Sequence, residues 1–452
     1  MEINFINIEA LQNEAFQTLS SVDANEPNNP KSLDELVKSI EDVDGKIAPI
    51  YNKAIYEPIR QFVNALDTAG FNRIATNSGY SQFFFDFIQA ILQSADPSKA
   101  SAAFEEVVGD LYDGFLSAED RRNIKSPDHD VVPPIVKWGN AKDGPYTLPI
   151  DFTKQLKVKC AIVSLPPVLA NGALAGWACL GHETAGHDIL HADTDLLHEM
   201  SMKVKEVISG DKILRAKKIE SALAQYWSAR IDETAADIMG VLNMGPAAPA
   251  GMIPFFCAFL QHKGRPPKMR STGPANDEHP ADVLRVMLGA AAIQCLSFSD
   301  RNVWAEAILK EGLRDLSTIV INDNVVVEPA MAQRSAILVA QALTGTRLDS
   351  LASHSLLEIQ DWTDRDEKIV SDLRAAISGK STLDAYGRDN GIYAAHTVAA
   401  ALYEGLQVKQ DIKPLFDNMI TMLKTMHDSN PNWGPLYTVH PGNLRIDKVI
   451  NV

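Results

Sequence analysis

Gly181–His191 reads GHETAGHDILH, and whether its leading histidines can share a metal decides how the centre of this 452-residue chain is built. A metal-binding helix of the form H-E-x-x-H sets its histidines one turn apart, so that both imidazoles face one ion. Here His182 and His187 are five residues apart. On a regular α-helix, at about 100° per residue, they diverge by roughly 140°. Either there is no metal site here, or the helix widens. An extra residue can be absorbed as a π-bulge, a single i→i+5 turn, and such bulges gather at functional sites. Gly186 eases the distortion because it has no Cβ to crowd the wider turn. With one residue absorbed, the two histidines regain the relation of an i,i+4 pair, and Glu183 points beside the ion as a general base must. The density of imidazoles favours metal: His182, His187, His191 and His198 are four of the chain's eleven histidines.

A catalytic zinc takes three protein groups and keeps one position for water. DETAAD, Asp232–Asp237, offers the third ligand in Glu233, from a second helix. Asp237, one turn on, can accept the outer N–H of a ligating histidine and orient its ring, with Asp232 as a further supporting acid. Taken alone, E-x-x-x-D reads as a solvated helix face. The surrounding IDETAADIMGVL is apolar, however, and buried acids without partners are costly.

At these residues the chain resembles dipeptidyl-peptidase III, a zinc peptidase of the glutamate-ligand (gluzincin) class, whose signature is H-E-x-x-G-H followed by E-E-x-x-A-E/D. HETAGH matches at His182, Glu183, Gly186 and His187. The second motif matches at Glu233, Ala236 and Asp237, with Asp232 where the family usually has Glu and Ala235 where it has Arg. The resemblance covers about a dozen residues in a chain shorter than the family's members. It implies one zinc ion held by His182, His187 and Glu233, with Glu183 activating the water.

Rival readings use the same stretch. His187 and His191 form a true i,i+4 pair that could bind metal with Asp195 or a distant acid, leaving Glu183 pointing away. His187-Asp188 resembles the pair of helical HD phosphohydrolases, with His129 and Asp237 completing the set. A third possibility is a structural zinc without catalysis, although a glutamate beside a ligating histidine is more typical of an enzyme.

Outward from the motif, LKVKCAIVSLPP, Leu156–Pro167, reads as a strand closed by two prolines. If it is a sheet edge, Val163 and Ser164 lie along the substrate groove, because an exposed edge pairs with extended peptide backbone. If it is an interior strand, they do not. Oxyanion donors are sought among Tyr and His. Tyr226 lies seven residues before Glu233, two turns along a helix expected from Lys212 to Leu242. His279 sits between a basic loop and the helix ADVLRVMLGAAAI, and Tyr437 and His440 are further candidates. In that loop Lys263, Arg265, Lys268 and Arg270 either grip a substrate carboxylate or are solvated.

The remainder reads as helical. SLDELVKSIEDV opens with a Ser32-x-x-Glu35 capping box. SQFFFDFIQAILQSAD and SKASAAFEEVVGDLYDGFL repeat the helical spacing, and TIVINDNVVVEP reads as a strand pair. The expected fold is α-rich α+β, with a zincin-like metallopeptidase core in which a small sheet precedes the metal helix, flanked by helical lobes. Residues 1–127 form the N-terminal helical lobe, 128–300 the core with HETAGH and DETAAD, and 301–452 a mainly helical C-terminal lobe. A net charge of −16 argues against general binding of nucleic acid or anionic membranes. Four scattered cysteines read as reduced core residues and favour a cytoplasmic setting. The expected activity is peptide-bond hydrolysis on a peptide or protein substrate.

Overall fold

The computed structural model describes residues 3–21, 28–96, 98–116, 124–128, 132–140, 144–154, 157–380 and 392–429. Helices dominate, and two small mixed sheets accompany them, an α-rich α+β arrangement. No helix among these residues is long and apolar enough to cross a membrane. All four cysteines are free thiols, Cys160 and Cys257 being buried.

The first sheet is built from β1 (Ile135–Trp138), β2 (Tyr146–Leu148) and β3 (Ile162–Leu165), in the order β1-β3-β2. β1 runs parallel to β3, and β2 antiparallel. β3 is therefore the central strand, and all four of its residues are buried. This corrects one expectation. Val163 and Ser164 face neighbours on both sides and line no groove; the strand edge nearest the motif is β2. The sequence could not separate these cases, because IVSL is apolar enough for either position. The prolines end the strand as expected, since neither can donate to a ladder.

After β3 the chain enters the motif through short 3₁₀ turns, Pro167–Ala170 and Leu174–Ala178. Between them Ala173 takes a left-handed φ of 54°. The helix Ile8–Leu19 holds that corner: the carboxylate of Glu14 accepts from the N–H groups of Ala173, at 2.6 Å, and Leu174, at 3.1 Å. The motif segment is thus anchored by an acid near the start of the sequence.

The second sheet joins β4 (Thr272–Gly273), β5 (Ile319–Ile321) and β6 (Val325–Val327). β5 and β6 form the strand pair read from TIVINDNVVVEP. Asn322 and Asp323 make the turn with φ of 47° and 69°, which these residue types tolerate better than most.

One continuous buried cluster runs from the helix Ile8–Leu19 through the motif to the helices Ala394–Gln407 and Ile412–Ser429. A separate cluster gathers the helices between residues 33 and 93 against Ile135, Leu148 and Ile162 of the first sheet. The capping residue Ser32 accepts from Glu35 N–H as read, but the Glu35 carboxylate returns to Lys31 N–H. The helix expected over Lys212 to Leu242 is three: Lys212–Ala216, Glu220–Ser228 and Ile231–Met244. Buried Arg230 occupies the second break, its guanidinium donating to the carbonyls of Tyr226 and Pro274 at 3.3 and 2.6 Å.

Candidate metal centre

The backbone of HETAGHD changes its hydrogen-bond period at the predicted place. Cys179–His182 is α-helical, Glu183–Asp188 is a π-turn, and Ile189–Ala192 tightens to 3₁₀. The widened turn absorbs the fifth residue and brings His182 and His187 onto one face, their Nε2 atoms 3.0 Å apart.

Gly186 lies inside the widened turn and has a second role that the sequence did not suggest. Its backbone is not left-handed, but a Cβ there would lie 2.2 Å from the Ala236 Cβ and 2.4 Å from its Cα. A Cβ on Gly181 would likewise meet Met244 Sδ at 2.8 Å and Gly240 Cα at 3.2 Å. Both glycines face the helix Ile231–Met244 and share the five-residue spacing of the histidines. Their missing side chains let the two backbones approach closely enough for Glu233 to reach the imidazoles.

Glu233 closes the group. One carboxylate oxygen is 3.2 Å from His182 Nε2 and the other 3.4 Å from His187 Nε2. His182, His187 and Glu233 form a group able to hold a metal ion. Four ligands at zinc–ligand distances of about 2.0–2.1 Å in a tetrahedron stand about 3.3–3.4 Å apart, close to the separations here.

The proton inventory favours a cation. His182 Nδ1 faces Asp237 Oδ1 at 2.9 Å, and His187 Nδ1 faces Asp232 Oδ1 at 3.1 Å. Those carboxylates take the Nδ1 protons, leaving both Nε2 atoms as acceptors. Glu233 Oε2 is buried without a hydrogen-bond donor. Three acceptors thus converge on one point, which either a bound cation or extra ring protons must satisfy. In the bare protein burial opposes charge on either ring, yet the facing carboxylates raise both imidazole pKa values, that of His187 strongly. Burial also opposes ionisation of Glu233, and the two imidazoles overcome it, holding its carboxyl far below the usual range. A divalent ion would satisfy the same acceptors in place of those protons.

Asp237 is fixed in turn by Arg285, which the sequence reading missed. Its guanidinium donates to both carboxylate oxygens, at 2.8 and 2.6 Å, and stacks 4.9 Å from the Phe256 ring. The available signal was a lone cation inside the apolar run DVLRVMLGAAAI of the helix Asp282–Cys295. Thr147, on β2, was also missed: its hydroxyl lies 3.0 Å from Glu183 Oε2 and 3.0 Å from the Glu183 carbonyl. The sheet therefore contributes to the site by orienting Glu183.

The remaining candidates divide. His279 comes to the group, with Nε2 3.4 Å from Glu233 Oε1 and its side chain about half exposed. Tyr226 does not. It is fully buried on the helix before Glu233's, and its hydroxyl accepts from Ala281 N–H at 2.9 Å. The broken helix is the reason, because two turns of spacing no longer place the residues on one face. Arg270 pairs with Asp277 and Asp282 rather than standing free. Tyr437 and His440 lie outside the described residues, as does His129.

Among the described residues the rival ligands do not join the converging group, although His191 Nε2 lies 3.5 Å from Asp232, which His187 also faces. His191 turns to Asp151, at 2.9 Å, and burial is outweighed by this acid and Asp232, which push its pKa up to about 9. Asp195 sits apart at the start of the helix Leu196–Gly210 with a left-handed φ of 64°. Asp188 is buried, which pushes its carboxyl up to about 7, and it is not part of the converging group.

Glu183 and His182 border a cavity of about 690 Å³ that also reaches His279, Asp237 and Arg285. Comparison with protein-family models, curated proteins and solved structures finds no match to this chain.

Proposed function

We propose that this protein is a zinc-dependent hydrolase, most simply a metallopeptidase of the glutamate-ligand class with a zincin-like core. The observation that carries the reading is the π-turn at Glu183–Asp188, which puts His182, His187 and Glu233 around one point. His182, His187 and Glu233 would hold the ion; when bound, it would acidify water and polarise a carbonyl. Zinc is the metal that best suits two imidazoles and a carboxylate with one position left open.

Glu183 is the general base. It adjoins the ligand His182, borders the cavity and is steadied by Thr147. It takes a proton from the attacking water and returns it to the departing amine. Asp237 and Asp232 keep the ligating rings in the Nδ1–H tautomer, and Arg285 keeps Asp237 in place. His279 is positioned to donate to the oxyanion that develops on the carbonyl. The resemblance of HETAGH and DETAAD to the dipeptidyl-peptidase III signature supports His182, His187 and Glu233 as ligands and Glu183 as base, and the expected substrates are peptides or proteins.

The test is Glu183→Gln, assayed against a mixed peptide library with metal content measured in parallel. Retention of one metal per chain with loss of cleavage is expected. Cleavage surviving intact, or a metal lost together with it, contradicts the role assigned to Glu183.

A further inference from the structure

The cavity that reaches His182 and Glu183 has walls that the hydrolytic chemistry does not require. Much of it is formed by the helix Ala247–His262, AAPAGMIPFFCAFLQH, in which only the last two residues are polar. A helix apolar on every side normally lies wholly in a core. Here Phe256 and Phe259 remain only partly buried, and with Pro249, Met252, Phe255 and Leu260 they line the chamber. Ala178, Gly240 and Gly289 from neighbouring segments complete the lining and pack closely on this helix, a Cβ on Gly289 meeting Pro249 Cβ at 2.7 Å. The volume of about 690 Å³ falls within the range of about 300–1,000 Å³ of sites that enclose small organic molecules.

Four cations line this chamber; Lys263 and Arg265 are exposed residues, Lys263 lying 5.1 Å from the Phe259 ring, and the other two are matched by acids. Arg270 is held by Asp277 and Asp282, and Arg285 by Asp237. What distinguishes the chamber is therefore accessible aromatic surface beside Glu183. Covering such surface is favourable in proportion to the apolar area removed from water. We propose that this chamber is the side-chain pocket of the metal site and takes a large apolar residue, of leucine to phenylalanine size, next to the scissile amide. The assignment rests on the hydrolase reading and adds its substrate class.

The experiment compares two hydroxamates, acetohydroxamate and 3-phenylpropanohydroxamate, binding to the zinc-loaded full chain by titration calorimetry. Both present the same metal-binding group, so their ratio reports on the chamber alone. The phenyl compound should bind at least about tenfold tighter, as burial of several methylene equivalents requires. Met252→Trp, which fills the chamber, should bring the ratio towards one while acetohydroxamate binds as before. Equal affinities in the wild-type protein overturn the pocket and leave the metal reading standing. No binding of either compound overturns both. The wild-type comparison decides the matter even if the tryptophan variant does not fold.

Discussion

Asp237 touches both the His182 ring and a buried guanidinium, so its removal tests metal binding without altering His182, His187 or Glu233. Burial favours its neutral form, but Arg285 and the His182 hydrogen bond outweigh that and keep the carboxylate ionised. Asp237→Asn should weaken metal binding by about 10–100-fold, as such supporting acids do elsewhere; competition with a chromogenic chelator measures it. His279→Ala should keep the metal and lower turnover by about 10²–10³-fold, the range for losing one oxyanion donor. Steady-state assays with metal analysis distinguish this from a structural effect. At this scale the sequence was most legible where residues of ligand type fall together in short motifs. The histidines, Glu183 and the acids of DETAAD were readable from spacing and apolar context. Arg285 and Thr147 were not, since neither belongs to a motif of ligand-type residues and only folding brings them to Asp237 and Glu183.

Among the elements, the π-turn was foreseeable because a five-residue histidine spacing has no other route to one face. The reason for the glycine was not, because it depends on Ala236 of another helix. Gly186→Ala should therefore destabilise the fold by about 1–3 kcal/mol through overpacking and weaken metal binding by parting the two helices. Denaturant unfolding of the metal-free and metal-loaded forms reads both effects. The broken helix over 212–242 was also hidden, since its sequence stays helix-compatible and the break is held by tertiary contacts of Arg230. Asp211 caps the first of those three helices by accepting from the N–H groups of Ile213 and Leu214, and it binds Arg334. Asp211→Ala should cost about 1 kcal/mol as a lost cap. The Arg334 hydrogen bond pulls the Asp211 carboxyl down to about 2. Its folded pKa is thus below the unfolded value of about 3.9. The stabilisation is present above about pH 4 and is lost as pH falls towards 2. Arg334→Gln should flatten the acid limb of the stability profile in that window.

For the molecule as a whole, a metal held by His182, His187 and Glu233 would be a ligand of the native state. With free zinc at a thousand times its dissociation constant, binding adds about 4 kcal/mol of stability. A chelator should therefore lower the melting temperature of the wild-type chain and leave that of His187→Ala unmoved, as calorimetry can establish. The general architecture, helices with a small sheet ahead of the motif, was legible from composition changes and from the prolines that close β3. The anchoring of the motif was not. It comes from Glu14, some 160 residues earlier, and no local pattern marks an acid for that task. The same long reach joins the first helix, the motif and the last helices in one buried cluster.

An anomalous difference map recorded at the zinc edge from crystals of the full chain tests the central claim directly. The account predicts one peak about 2.0–2.2 Å from His182 Nε2, His187 Nε2 and a Glu233 carboxylate oxygen. A peak held by other side chains, or none after soaking in zinc, would contradict it.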